Sequence, residues 1–309
     1  MPRRLGVSIT WRCNLRCSHC LQSEHSASHD LSLNEFRALL DREAKTGVGV
    51  VSLTGGEATL HPQFSEFVRE IQTRRLLWTL TTNGLLLDRI LRNFCIHPAS
   101  LVTISLDGPD AASHDEVRAP GTFRRSCRAI RVLALAGMPV QVQATLTRTM
   151  IAKLEDMRSC AADLGADRLM LAWPIPTVDL LRQGEFPGHK ELLAVRQWVS
   201  TTKSDGLLPV ALSISHDLVA NSWQESTQCS FLTGDEIYVN SKGKQMLCCQ
   251  VADVSPPTNL VQLGQAATHT PTNLQPYRCL QCMAGQGTLP SGLSDSDWKI
   301  PSGPMLEGA

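Results

Sequence analysis

Between Leu5 and Ala172 the chain alternates six short apolar runs with five helix-like segments, and no other feature constrains its fold as tightly. The runs are Leu5–Thr10, Val48–Leu53, Leu76–Thr81, Leu101–Leu106, Val140–Leu146 and Arg168–Ala172. Each is short, apolar and bounded by turn formers, as buried strands are. Ser32 and Glu35 make a capping box, which opens a helix that runs to about Lys45 before Gly47 stops it. Further helices are predicted over Pro62–Arg75, Leu85–Phe94, Thr122–Ala136 and Ile151–Leu164. Alternation of this kind means parallel strands with helical crossovers, and in α/β barrels the chemistry gathers at the C-terminal strand ends.

Polar motifs stand at those ends. After the first run comes Cys13-Asn14-Leu15-Arg16-Cys17-Ser18-His19-Cys20, a C-x3-C-x2-C loop. After the second comes Thr54-Gly55-Gly56-Glu57, after the third Thr82-Asn83-Gly84, and at the fourth Ser105-Leu106-Asp107-Gly108. A glycine pair lets backbone approach a ligand closely, and a neighbouring carboxylate can accept from an ammonium. Taken singly, each of the last three motifs reads as an ordinary turn. Three thiols on one short loop suit an iron–sulfur cubane with one iron left open. They also suit a structural zinc loop completed by His19, His25 or His29.

Composition narrows the field. Lysine and arginine total 29 against 29 acidic residues, so the balance carries no footprint for nucleic acid or an anionic membrane. No apolar run approaches a membrane span, and Arg12 interrupts the apolar stretch after Arg3 and Arg4, which makes a poor signal peptide. Eleven cysteines without a secretory signal point to a reducing cytoplasm and to metal ligation. Cys95, Cys127 and Cys160 fall on predicted helices and read as small buried side chains.

From Trp173 the pattern loosens into a Pro- and Gly-rich connection that carries Asp179 and Glu185. A last helix over His189–Thr202 and a short strand over Pro209–Ser215 follow. The expected organisation is a barrel over 1–215, a small α+β module over 216–285 and a Gly/Pro/Ser-rich tail over 286–309. The module holds Cys229, Cys248, Cys249, Cys279 and Cys282, with a hairpin over Glu236–Cys249 that turns at Gly243. Four thiols there suit a second, fully ligated cubane or an all-cysteine zinc site. Cys248 and Cys249 are strand neighbours and point to opposite faces, so only one of them is expected to be a ligand.

The cysteine loop and the motifs after it resemble the radical S-adenosylmethionine (SAM) enzymes over residues 5 to 175. The resemblance implies a partial (β/α)6 barrel and a [4Fe–4S] cluster on Cys13, Cys17 and Cys20. It implies SAM held by Gly55, Gly56 and Glu57, with Asn83, Ser105 and Asp107 at the ribose or the methionine end. His19 takes the place of an aromatic residue near the adenine. Arg118 and Arg148 are candidates for the SAM carboxylate, and Ala58 stands where proline often follows the glycine–glutamate motif. The second cysteine group resembles the family's twitch module, which implies a second [4Fe–4S] cluster on Cys229, Cys248, Cys279 and Cys282 and leaves Cys249 free.

A free thiol beside a substrate radical is a hydrogen-atom donor. The small barrel, the twitch module and the extra Cys249 resemble the aminoglycoside-tailoring epimerases of this family. That resemblance implies inversion of a carbon stereocentre, with Cys249 as the donor and a flavodoxin or ferredoxin as reductant. The alternative is oxidation of an amino-sugar or cyclitol alcohol. A barrel opening near residue 5 leaves no room for an N-terminal leader-peptide domain, which counts against a peptide-modifying enzyme.

Overall fold

The computed structural model describes residues 3–20, 29–94, 99–174, 177–202, 207–213 and 236–246. All five cysteines of the second group, Cys229, Cys248, Cys249, Cys279 and Cys282, lie outside these residues. The expected tail and most of the expected module lie outside them as well.

The strands are β1 (Arg3–Thr10), β2 (Val48–Gly55), β3 (Leu77–Thr82), β4 (Leu101–Ser105), β5 (Val140–Thr145), β6 (Arg168–Ala172), β7 (Val210–Ser213), β8 (Glu236–Val239) and β9 (Gln245–Met246). The helices are α1 (Leu33–Ala44), α2 (Phe64–Thr73), α3 (Leu87–Phe94), α4 (Ala111–Val117), α5 (Thr122–Leu135), α6 (Arg148–Ile151), α7 (Leu154–Asp163), α8 (Val178–Arg182) and α9 (His189–Thr201). One sheet contains every strand among the described residues, in the order β7-β6-β5-β4-β3-β2-β1-β8-β9. Strands β1 to β7 run parallel in chain order, so the six predicted strands are present and β7 extends them. β8 returns to the far side of β1, also parallel, with Leu5 opposite Ile237 and Val7 opposite Val239. The predicted hairpin is there, antiparallel between β8 and β9, with Gly243 at φ +70°. It belongs to the same sheet as β1 to β7.

The core lies between sheet and helices. Phe36, Leu39, Leu40 and Glu43 form the buried stripe of α1, and Phe64, Phe67, Val68 and Ile71 that of α2. The rings of Phe36 and Phe67 meet at 4.6 Å. Each buried apolar side chain of this size contributes about 1.5–3 kcal/mol. The capping box is complete: Ser32 Oγ accepts from the Glu35 amide, and Glu35 accepts from the Ser32 amide.

Helix starts differ from expectation where side chains take the backbone donors. α2 begins at Phe64 and not Pro62, because the His61 ring accepts the Gln63 amide at 3.0 Å. α3 begins at Leu87 and not Leu85, because Asn83 Oδ1 accepts the Leu85 amide at 2.9 Å. The helix predicted from Ile151 begins at Leu154 as α7, and the short α6 precedes it, capped by Thr147, whose hydroxyl accepts the Met150 amide. α4 has no counterpart in the sequence pattern; Asp110 caps it by accepting the Ser113 amide at 2.8 Å. No described helix is long and apolar enough to cross a membrane.

Candidate active site

The cysteine loop leaves β1 and is pinned to the neighbouring strand ends. The Gly56 amide donates to Thr10 O at 2.9 Å and the Glu57 amide to Arg12 O at 2.8 Å. Asn83 Nδ2 donates to Asn14 Oδ1 at 2.8 Å, and the Ser18 amide donates to Val117 O at 3.1 Å. Thr177 Oγ1 donates to Ser18 O at 3.1 Å. Segments after β2, β3, β4 and β6 therefore grip a single loop. Only glycine allows the closest of these contacts: a Cβ on Gly55, at φ +150°, would lie 2.3 Å from Thr10 O.

Within the loop Cys13 is exposed, Cys17 buried and Cys20 half-buried, and the Cys20 amide closes a turn onto Cys17 O at 3.0 Å. Burial pushes the Cys17 thiol up to about 12, against the pull of the nearby Arg118 charge. Burial also raises Cys13. Metal ligation requires thiolates, so a bound metal supplies the charge that burial withholds.

Glu57 is 1% exposed and accepts four protein donors. Oε1 accepts Thr59 N at 3.2 Å, Thr59 Oγ1 at 2.5 Å and Thr82 Oγ1 at 2.7 Å. Among the described residues Oε2 accepts only the Asn83 amide, at 2.8 Å, and keeps a lone pair for a ligand. Asp107 is equally enclosed. Its Oδ1 accepts the Thr145 amide at 2.7 Å, Oδ2 accepts Arg118 Nε at 2.5 Å, and His19 Nε2 stands 3.6 Å from Oδ2. Burial opposes this charge, yet Arg118, His19 and the Thr145 amide together hold the carboxyl well below the usual range. Arg118 thus faces Asp107. Ser105, the last residue of β4, is partly exposed. Arg148 lies apart, exposed and paired with Glu191 at 3.2 Å, and Glu185 accepts the Thr149 amide and hydroxyl.

The structure joins Cys13, Cys17, Cys20, Gly55, Gly56, Glu57, Asn83, Asp107, Arg118 and His19 in one bonded constellation. It adds residues the sequence did not single out: Asn14, Thr82, Thr145, Thr177 and His114, whose Nδ1 accepts the Asp107 amide at 3.0 Å. Asn14 and Thr82 sit inside or beside motifs and were within reach of sequence reasoning. The role of His114 depends on α4 folding back under β4, for which the motif carries no signal.

The three thiols of the loop suit a cubane that takes one thiolate per iron and leaves one iron open. Of the histidines that could complete a zinc loop, His29 gives Nδ1 to Ser241 O at 2.9 Å, His19 turns Nε2 to Asp107, and His25 lies outside the described residues. His19 Nδ1 is buried and has no partner among the described residues, a polar atom beside the loop.

A family model described as the radical SAM superfamily matches residues 7–158. These residues form a radical SAM domain. It carries all three loop cysteines, Gly55–Glu57, Asn83, Asp107 and Arg118. Curated relatives include an AdoMet-dependent heme synthase of Oleidesulfovibrio alaskensis, 31% identical over 182 residues, which are 57% of this chain and 46% of that protein. The mycofactocin maturase MftC of Mycobacterium tuberculosis is 32% identical over 171 residues, 53% of this chain and 43% of its own. The chain spans about half the length of such relatives. The fold is similar to that of Streptococcus suis SuiB bound to S-adenosylmethionine, with a TM-score of 0.64 at 16% identity, over 82% of this chain and 62% of that one.

Proposed function

We propose that this chain is a radical SAM epimerase that inverts a carbon stereocentre of an aminoglycoside, in the manner of a neomycin C to neomycin B conversion. The observation that carries the radical SAM reading is the bonding of the three-cysteine loop to the Gly55–Glu57 and Asn83 segments. Cys13, Cys17 and Cys20 would hold a [4Fe–4S] cluster. Gly55, Gly56 and the free lone pair of Glu57 Oε2 would receive the SAM amino group. Asn83, Ser105 and Asp107 would face the ribose or methionine end, and the open Nδ1 of His19 would meet the nucleoside. When bound, these cofactors supply a 5′-deoxyadenosyl radical that takes a hydrogen atom from the substrate. Arg118 holds Asp107 in place and neutralises its charge.

The epimerase reading rests on the fifth thiol of the C-terminal group. Cys229, Cys248, Cys279 and Cys282 would ligate a second [4Fe–4S] cluster, and Cys249 would stay free. Its S–H bond breaks as a C–H bond forms on the opposite face of the substrate carbon. One electron and one proton then restore the thiol. A flavodoxin or ferredoxin would deliver the reducing equivalents.

The test incubates reconstituted enzyme, SAM and reductant in heavy water with a panel of aminoglycosides. An isomer of unchanged formula carrying one carbon-bound deuterium is the expected product. A product two hydrogens lighter would replace the epimerase with the alcohol dehydrogenase. Relatives named as a subtilosin biosynthesis protein and a mycofactocin maturase favour a second reading, a peptide substrate. Turnover of a peptide but of no aminoglycoside would establish it. Absence of 5′-deoxyadenosine under every condition would sink the radical SAM reading itself.

A further inference from the structure

The chain's overall charge is balanced, but its arginines are not evenly spread. Arg124, Arg128 and Arg131 lie at i, i+4 and i+7 on α5 and form one stripe, with Arg125 beside it. Between α5 and α3 runs a groove of about 410 Å³, lined by Arg89 and Arg92 of α3 and by Arg125 and Arg128 of α5, of which only Arg128 belongs to the stripe. Asp88 is the one carboxylate among its described lining residues. Arg89 and Arg125 are fixed by main-chain acceptors, Thr59 O and Leu85 O, both at 2.8 Å. Neither bond neutralises a guanidinium. Arg92 and Arg128 have no carboxylate partner among the described residues. Arg124 and Arg131 instead line a larger groove together with Asp110, Asp156 and Asp163, and Arg128 borders both grooves.

The position of the basic groove matters as much as its charge. Its inner wall begins at Gly84 and Leu85, directly after Asn83. Asn83 bonds to Asn14, the residue after Cys13. One hydrogen bond and a few covalent bonds therefore connect the groove wall to the cysteine loop.

We propose that the α3–α5 groove is the docking surface for an acidic one-electron carrier protein, which delivers electrons to the group held by Cys13, Cys17 and Cys20. The inference rests on the radical SAM reading for its purpose and on the unpaired arginines for its location. Complementary charge steers such encounters, raises the association rate and weakens with salt. A carrier seated there lies at the outer end of the Gly84–Asn83–Asn14–Cys13 connection.

The test uses the full-length reconstituted protein and a purified acidic flavodoxin. Direct binding is measured at low and high salt for wild type, for Arg92→Glu/Arg128→Glu and for the control Lys190→Glu on α9. The double variant should bind the flavodoxin about tenfold or more weakly, while Lys190→Glu and wild type bind alike. Wild-type affinity should fall as salt rises. Dithionite-driven formation of 5′-deoxyadenosine should be equal in all three proteins, because a small reductant needs no docking surface. The milder Arg92→Gln/Arg128→Gln pair should give an intermediate affinity and guards against a folding defect. Binding by the double variant equal to wild type, or equal loss in the α9 control, overturns the proposal. Loss of dithionite-driven cleavage in wild type would instead strike the radical SAM reading, and the binding comparison would still judge the groove.

Discussion

Arg118 Nε donates to Asp107 Oδ2 at 2.5 Å, and both side chains are almost wholly removed from solvent, 9% and 1% exposed. Each charge is tolerated because of the other. Removing one partner of such a pair typically costs about 3–5 kcal/mol, because an uncompensated charge stays buried. Arg118→Ala should therefore destabilise the fold by about that much in anaerobic urea unfolding. The double variant Asp107→Asn/Arg118→Met should lose less than Arg118→Ala alone, since the introduced amide carbonyl can still accept from the Thr145 amide. Equal losses would mean that the Arg118 side chain acts through packing and not through charge.

His114 makes acid stability measurable. Its Nδ1 accepts the Asp107 amide, so the ring proton of the neutral form sits on Nε2, which is buried with no partner among the described residues. Burial lowers the imidazole from 6.5 to about 4, against the pull of the Asp107 charge. The folded chain then binds fewer protons than the unfolded chain between these values. Stability present above pH 6.5 is lost as pH falls towards 4, on the order of 3 kcal/mol from this group. His114→Asn keeps an acceptor for the Asp107 amide and has nothing to titrate. Unfolding curves at about pH 7.5 and 5 should converge for the variant relative to wild type.

Gly55 separates backbone conflict from mere conformational preference. A methyl group there meets Thr10 O at 2.3 Å in a φ region that other residues avoid. Gly55→Ala should push β2 away from the start of the cysteine loop and cost more than about 2 kcal/mol. Gly137→Ala is the control: φ is +73°, but nothing lies within 4 Å. It should cost only about 1 kcal/mol. Iron content after anaerobic reconstitution should fall for Gly55→Ala and stay unchanged for Gly137→Ala.

Six strands, their order and the segments that meet at the cysteine loop were all legible in the chain, because alternating apolar runs leave few topologies and the polar motifs fall at strand ends. What escaped was set by side chains acting on distant backbone. The starts of α2 and α3 depend on the His61 and Asn83 rotamers. α4 depends on a single Asp110 cap over seven residues, too short for a periodic signal. Arg118 read as a candidate for the SAM carboxylate because charge pairing between positions 107 and 118 is invisible until α4 turns the chain back. The pairing of β8 with β1 joins residues more than two hundred positions apart, beyond any local pattern.

That long-range pairing leads to the last prediction. His29, just past the cysteine loop, contacts the hairpin turn: its Nδ1 lies 2.9 Å from Ser241 O. A carbonyl can only accept, so Nδ1 carries the proton and donates. The same turn brings Gly243 against Leu31 and Glu35. The hairpin is thus held by β1 on one side and by the segment leaving the loop on the other. A neutral hydrogen bond of this kind contributes about 1 kcal/mol, a factor of roughly five in a local opening equilibrium. His29→Ala should speed amide exchange of Ile237–Val239 about fivefold while leaving β3–β5 unchanged. His29→Asn, whose amide can donate from the same reach, should restore most of the protection. Uniform acceleration across the sheet would mean that His29 supports the whole fold and does not secure the hairpin in particular.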